Sequence, residues 1–376
     1  MRQWTRACAG LGIVAWAALG GSGCASHESI DDACPEKIPR SGDAPEASID
    51  YMLRLSCYRR YAGIRRARMH PAITEASNRH AAYLEQHVFL EDRVVRPPDE
   101  APYYDVTLDE ARAEDPGLDG FSGRDSDERF RAAGFPLDYQ SYFIWDLVQY
   151  EFDETMPREE LVDEQMHDPY LRDVLLAPGW RGGGLAEGDG ALGRFLWVNS
   201  LLFFPSNVRA LNPVVYPVDG QTDVPLDFST VRFLPPWDQF LVDLGDNRFR
   251  GERVGYPITI TFGSNDLSPS PENLTGAQLL SAEIRGPDGP IEHVEVFPGP
   301  HESGFNAATI ALVPTEPLLP DTTYEVEATV SSVSITSKRI QLSFTTGGRS
   351  VARDDVIQFV RGGRGGPRVE ATPARL

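Results

Sequence analysis

Carboxylates and histidines crowd one stretch of this chain. Between Asp99 and Glu128 eleven acidic residues are set against only Arg112 and Arg124. The segment Ala111–Phe135, ARAEDPGLDGFSGRDSDERFRAAGF, is rich in Gly, Asp and Pro before it turns amphipathic, with Phe130, Ala133 and Phe135 as its apolar positions. It reads as a loop that runs into a short helix and lines a cleft.

The residue types admit several chemistries. DPGLDG offers Asp115, Asp119 and Gly120 in partial imitation of a calcium loop, but Gly117 and Ser126 stand where its third and twelfth positions need acids. An acidic solvated turn is the plainer reading. Glu114 with Asp146, in YFIWDLVQY, would make a carboxylate pair for acid/base work, and charge pairing with Arg112 or Arg172 is the simpler role. His80 and His87 lie two helical turns apart and could face one site. Without a HExxH arrangement, His80 reads as a core histidine with a hydrogen-bond partner. The chain has no GxSxG elbow, phosphate loop, CxxC or Cys/His cluster.

The elements that must hold these residues follow from periodicity. Ser48 is a plausible N-cap for a helix with Ile49, Met52, Leu53, Cys57 and Tyr61 at helical spacing, ended by Gly63. A second helix, ITEASNRHAAYLEQH, puts Ile73, Ala76, His80, Ala81 and Leu84 on one side. In TMPREELVDEQM, Thr155 suits a cap and Pro157 the first turn. Leu161, Gln165, Leu171, Val174 and Leu175 give that helical region its buried side. Phe195, Trp197, Asn199 and Leu201 alternate as in a strand after the turn GDGALG, so a parallel or mixed sheet covered by helices is expected. Arg54, Arg59, Arg60, Arg65, Arg66 and Arg68 cluster in and after the first helix, where acidic neighbours such as those of 99–128 would answer them.

The start of the chain reads as an export signal. Arg2 and Arg6 precede the apolar run Ala7–Leu19, which is too short for a membrane span, and GGSGC ends at Cys24. The small residues before Cys24 resemble a bacterial lipobox, with Gly21 where Leu is usual; an ordinary secretory signal is the alternative. On the first reading 1–23 is removed, Cys24 carries lipid, and 24–47 is a polar spacer. Cys34 and Cys57 remain as an even pair in an oxidising compartment, either bridged or as two thiols. A formal net charge of −21 over 376 residues repels nucleic acid and anionic lipid, which argues against partners on those surfaces.

A family resemblance runs through these pieces. YMLRLSCYRRYAGIRRARMHPAITEASNRHAAYL resembles the opening of CAP domains, the cysteine-rich secretory, antigen 5 and pathogenesis-related 1 superfamily, with Ile73, His80 and Ala81 in the places of its second-helix pattern. EDPGLDGFSG and DERFRAAGF are similar to the loop and helix that follow. ELVDEQMHDPYLRDVLLAP is similar to a later helical motif, and GGGLAEGDGALGRFLWVNSLLF to the closing hairpin. The resemblance covers 48–205, in the family's order. It implies an α-β-α sandwich with a large cleft, in which two His and one or two acids often hold a divalent metal. Here the first His falls on Arg112, with Glu114 keeping the acidic position. The strand acid falls on Asp146, the second His on Leu171 beside Arg172, and the usual Trp on Gln165. A cationic Arg112 and an apolar Leu171 replace the imidazoles a zinc-type metal prefers. The expectation is therefore no metal or other cofactor, and a cleft of Arg112, Glu114, Asp146 and Arg172 that serves as a binding surface.

Beyond Asn212 the pattern is all strand. ITITFGS, LLSAEIRG, IEHVEVFPG, AATIALVP, TYEVEATVSS and RIQLSFTTG are separated by Gly, Pro and Asp turns, which is the alternation of an antiparallel sandwich. PLLPDTTYEVEATV resembles the corner of immunoglobulin-like domains, in which the Tyr324 hydroxyl would bond back to the turn. That resemblance covers 212–347. Phe233–Tyr256 reads as an insertion, and the Gly/Arg-rich segment 348–376 as a flexible tail.

The fold class expected is thus α+β: a CAP α-β-α sandwich followed by an all-β immunoglobulin-like sandwich. The expected role is that of an exported cell-envelope protein, anchored by lipid at the membrane or secreted. It would use a non-catalytic binding or scaffold module toward an envelope polymer, a lipid or a protein, and not nucleic acid. A hydrolase or metal-dependent enzyme in the same cleft is the alternative.

Overall fold

The computed structural model describes residues 29–35, 44–96, 103–104, 110–111, 113–136, 142–151, 158–178, 180–191, 193–203, 212–229, 253–262, 277–297, 309–332 and 335–350. The export signal, Cys24, Arg112, Thr155, Pro157, most of the expected insertion and the tail from 351 lie outside the described residues. The protein is an α+β fold.

Helix α1 (Glu46–Tyr61) begins before the expected cap. Ser48 sits buried inside its first turn, and its hydroxyl donates to Leu185 O at 2.8 Å, a tertiary bond in place of the local one. Helix α2 (Pro71–His87) is opened by His70, whose ring accepts from Ala72 N, and by Pro71 at the first helical position. A two-residue ladder joins β1 (Val94–Val95) to β2 (Tyr103–Tyr104). Helix α3 (Ser126–Ala132) is capped by Asp125, which accepts from Glu128 N at 2.8 Å, while Glu128 reaches back to Arg124 N at 3.0 Å. Strand β3 (Tyr142–Glu151), helices α4 (Arg158–His167) and α5 (Pro169–Leu175), and strands β4 (Trp180–Gly190) and β5 (Gly193–Phe203) follow.

These three strands form one sheet in the order β3-β5-β4, and both pairings are antiparallel. This corrects the expectation of a parallel or mixed sheet: β4 and β5 are the arms of a hairpin, which can pair only antiparallel. Helices lie on both faces. Along β4, Leu185 packs in the cluster of Tyr51, Met52 and Leu161 from α1 and α4, while the next residue, Ala186, packs with Ala81, Tyr83 and Leu84 of α2. The period of two sends neighbours to opposite layers. Gly184 lets α2 approach on its side, because a Cβ there would lie 2.6 Å from Ile73 C and Thr74 N.

The presumed spacer is partly structured. Residues 29–35 dock on α1: Ala33 is fully buried, Arg54 bonds Asp31, and Cys34 is joined to Cys57 with their Cα atoms 4.1 Å apart. The bridge and the buried Ala33 make this segment part of the packed structure.

The second half contains β6 (Val214–Tyr216), β7 (Gln221–Val224), β8 (Asp227–Ser229), β9 (Arg253–Gly255), β10 (Ile258–Thr261), β11 (Gln278–Gly286), β12 (Gly289–Ile291), β13 (His293–Val296), β14 (Thr309–Pro314), β15 (Thr323–Ser331) and β16 (Lys338–Thr346). Two sheets carry most of them, ordered β13-β14-β10-β6 and β12-β11-β15-β16-β7, with β8 and β9 paired separately. Tyr324, Val326, Ala328 and Val330 point into the core while Thr323, Glu325 and Glu327 stay exposed, so β15 presents one dry and one wet face. β10 and β14 are buried at every residue, because α5 and β9 pack against them as well. Pairing is antiparallel except between β16 and β7, which run parallel and so depart from the wholly antiparallel expectation. Leu319 N donates to the Tyr324 hydroxyl at 2.8 Å, the turn bond expected of that tyrosine.

Candidate functional site

Helix α2 holds the acidic loop through one face. His80, Tyr83 and His87 recur at helical spacing and each takes a different part of the loop. His80 Nε2 lies 2.8 Å from Ala111 O, the Tyr83 hydroxyl accepts from Asp115 N at 2.9 Å, and His87 Nε2 donates to Asp119 O at 2.8 Å. The two histidines thus face the same loop, but as clamps on its backbone. Asp115 accepts from Gly117 N at 2.8 Å in a tight local turn. On the far side of the loop Phe130 and Phe135 pack with Ile73 and Ala76, which seats α3 on α2.

Glu114 is the centre of this arrangement, and it is buried. Its Oε1 accepts from His80 Nδ1 at 2.7 Å and from the Ser122 hydroxyl at 2.9 Å; Oε2 accepts from Ser122 N and from Gly123 N at 3.2 Å. Arg129, 2% exposed, brings Nη1 to 4.0 Å and is itself bonded to Gly123 O and to the Ser126 hydroxyl. Gly123 is required by space: a Cβ would fall 2.5 Å from Arg129 N. Burial alone would raise the Glu114 carboxyl, but the bonds from His80 and Ser122 hold it below the usual carboxylate range.

His80 receives opposing demands. Both ring nitrogens face acceptors, which asks for the charged imidazolium, whereas burial and the Arg129 charge pull the ring down to about 4. Charge balance favours the neutral ring: Arg129 and Glu114 already cancel, and a further positive charge in so buried a cluster would have no counterpart. At neutral pH the ring then has one proton for two acceptors, Glu114 Oε1 and Ala111 O, and bonds one of them at a time.

Of the four residues expected to line a cleft, Glu114 and Arg172 sit in two separate buried clusters. Arg112 lies outside the described residues. Asp146 stands on β3 opposite Asn199 in the ladder. Glu114 pairs with His80 and Arg129 rather than with Arg172, a correction that follows from the turn of α3 over the loop. Arg172 is corrected most. It is fully buried, where its Nε donates to Met166 O at 2.9 Å, Nη2 to His167 O at 3.3 Å, and Nη1 to Pro257 O at 2.8 Å and the Thr259 hydroxyl at 3.4 Å. The rings of Tyr216 and Tyr256 lie 4.8 Å from the guanidinium carbon, and Tyr256 donates to Met166 O at 3.2 Å. This arginine joins the helical half to the sandwiched sheets. Its signal in the sequence was an arginine on the apolar side of a short helix; Arg129 on α3 carries the same signal, and Ser122 in the loop carries none.

The basic cluster also finds other partners than expected. Arg54 pairs with Asp163 and Asp31, not with the acids of 99–128. Arg59 is buried and donates to Arg65 O, Leu175 O and Ala177 O beneath the Trp180 ring. Burial pulls its guanidinium down to about 9, which leaves it charged at neutral pH.

A divalent metal of the kind the CAP resemblance implies does not fit these residues. Leu171 is buried and apolar, and the Glu114 oxygens are taken up by donors. Among the described residues no group of three or more His, Cys, Asp or Glu could hold a metal ion. No helix among them is long and apolar enough to cross a membrane. No family model matches the sequence, and no curated protein matches it.

Proposed function

We propose that this protein is an exported, lipid-anchored component of the cell envelope, a divergent CAP α-β-α sandwich at 48–205 followed by an immunoglobulin-like sandwich at 212–347, working as a non-catalytic binding or scaffold module. Its partner would be an envelope polymer, a lipid or a protein. The observation that carries the reading is the state of Glu114. A carboxylate this buried, with both oxygens taken by donors and its charge opposed by Arg129, is committed to holding the loop and is a poor base or metal ligand. Helices on both faces of an antiparallel sheet, the two-sheet second half and the Tyr324 turn bond support the two resemblances.

A calorimetric zinc titration tests the non-catalytic reading: no stoichiometric heat is expected, and tight binding at one equivalent would return the hydrolase alternative. Growth with a labelled fatty acid tests the anchor. The wild type should take up label through Cys24, and a Cys24→Ala variant labelled equally well would end that part of the proposal.

A further inference from the structure

We propose that the arginine-bearing turn after α1 is a membrane-facing surface that meets anionic phospholipid headgroups; the proposal rests on the reading of Cys24 as the lipidated residue. The stretch Tyr58–Thr74 contains five arginines and no acid, in a chain whose net charge is −21. Arg59 turns inward to the carbonyls already described. Arg65 and Arg68 are exposed and Arg60 is half-buried, and these three make no ion pair with a described residue. The turn is held in place from beneath: Ile64 N bonds Arg59 O at 2.9 Å, and Gly183 N bonds Arg68 O at 2.9 Å.

A second observation keeps the turn within reach of the bilayer. Cys34 is bridged to Cys57, and Arg60 lies one helical turn beyond Cys57. Cys34 stands ten positions after Cys24, so a lipid on Cys24 can lie no more than about 35 Å from the bridge even with the chain fully extended. The nearby acids do not cancel the patch. Arg54 holds both Asp31 and Asp163, and its single charge offsets one of them, so one negative charge remains against the three arginines. Asp50 and Glu46 lie toward the other end of α1, about 15 and 21 Å along the axis from Arg60, beyond a Debye length at physiological salt. The whole-chain charge opposes anionic surfaces, but at this range only the local charges count.

Sedimentation of the full-length Cys24→Ala chain with vesicles tests this without the lipid. Phosphatidylcholine vesicles are compared with vesicles that also contain phosphatidylglycerol, and the apolar run Ala7–Leu19 is common to every variant. Preference for the anionic vesicles, weakening as salt rises, is expected. Arg60→Gln, Arg65→Gln and Arg68→Gln should each weaken it about fivefold, and all three together roughly 100-fold. The corresponding triple Lys variant should keep the binding, because a headgroup layer reads charge rather than the guanidinium fork, and it serves as the test should the Gln variant fail to fold. Equal binding to both vesicle types, undiminished binding by a folded Gln variant, loss in the Lys variant, or tighter salt-sensitive binding to a single-stranded RNA would each overturn the proposal. Fatty-acid labelling reports separately on the anchor: an unlabelled wild type whose Cys24→Ala form still selects anionic vesicles would remove the anchor and keep the surface.

Discussion

Two of the buried arginines, Arg129 and Arg172, have their charges met in opposite ways. Arg129 is answered by the Glu114 carboxylate, 4.0 Å away, in a cluster that also contains His80. Arg172 is answered by the carbonyls of Met166, His167 and Pro257 and by the faces of Tyr216 and Tyr256. Burial raises both tyrosine hydroxyls, so neither ring ionises near neutrality. The loop centre is therefore balanced by groups that can titrate, and the joint by dipoles and rings that do not. One should respond to acid and the other should not.

The joint should show the largest effect. Arg172→Ala leaves carbonyls of both halves without a donor and opens a cavity between two tyrosines, at a cost of roughly 4 kcal/mol. Urea unfolding should show this loss, with the two halves separating into distinct transitions, while Arg172→Met should recover part of it by filling the space. A single transition unchanged in midpoint would remove the joint from the argument. At the loop, Glu114→Ala strands Arg129 in the interior and leaves the Ser122 and Gly123 amides unpaired, at a cost of roughly 3 kcal/mol. Glu114→Gln keeps the shape but not the charge and should fall between that variant and wild type in the same urea experiment.

What could be read from the sequence, and what could not, divides along the same line. Strands such as TYEVEATVS were legible because each residue's face is set by its immediate neighbours and the Gly, Pro and Asp turns mark the ends. The side of α2 that meets the loop was legible too, since His80 at helical spacing among Ala76, Ala81 and Leu84 places it inside. Arg172 was not, because Pro257 is 85 residues away and no local period connects them. Glu114 shows the intermediate case. Its acidic position was visible, but its partners His80, 34 residues back, and Arg129 on the next helix depend on how the loop closes. Ser48 misled because a good capping residue was drawn into a bond with Leu185, 137 residues on.

Acid should distinguish the two sites next. The folded-state affinity of His80 for a proton is lowered from 6.5 to about 4, so its contribution is present above 6.5 and lost as pH falls toward 4. The Glu114 carboxyl, also lowered, adds to the loss below its ordinary 4.5. From His80 the total is at most roughly 3 kcal/mol. Chemical denaturation across this window should show wild type weakening on acidification, and His80→Gln, less stable throughout, should show a flatter slope there. Arg172→Met should keep the wild-type slope. A wild type that gained stability toward pH 4 would mean that the folded state keeps the imidazolium, bonded to both acceptors.

The smallest effect tests whether the second half owes its stability to any one polar contact. Tyr324 is buried beside Phe344, with ring centroids 5.6 Å apart, and its hydroxyl accepts from Leu319 N. Tyr324→Phe keeps the ring and removes only the acceptor, so it should cost about 1 kcal/mol, the usual net worth of one hydrogen bond. Leu319 is half exposed, so water can satisfy its amide and keep the cost near that figure. The loss should be the same at pH 7 and pH 5, since among the described residues no carboxylate or imidazole is bonded to the Tyr324 hydroxyl. In an Arg172→Ala background it should appear only in the transition of the sheet half. A Tyr324→Phe loss that grew with acid, or that moved the helical transition, would mean that the two halves are coupled by more than the Arg172 joint.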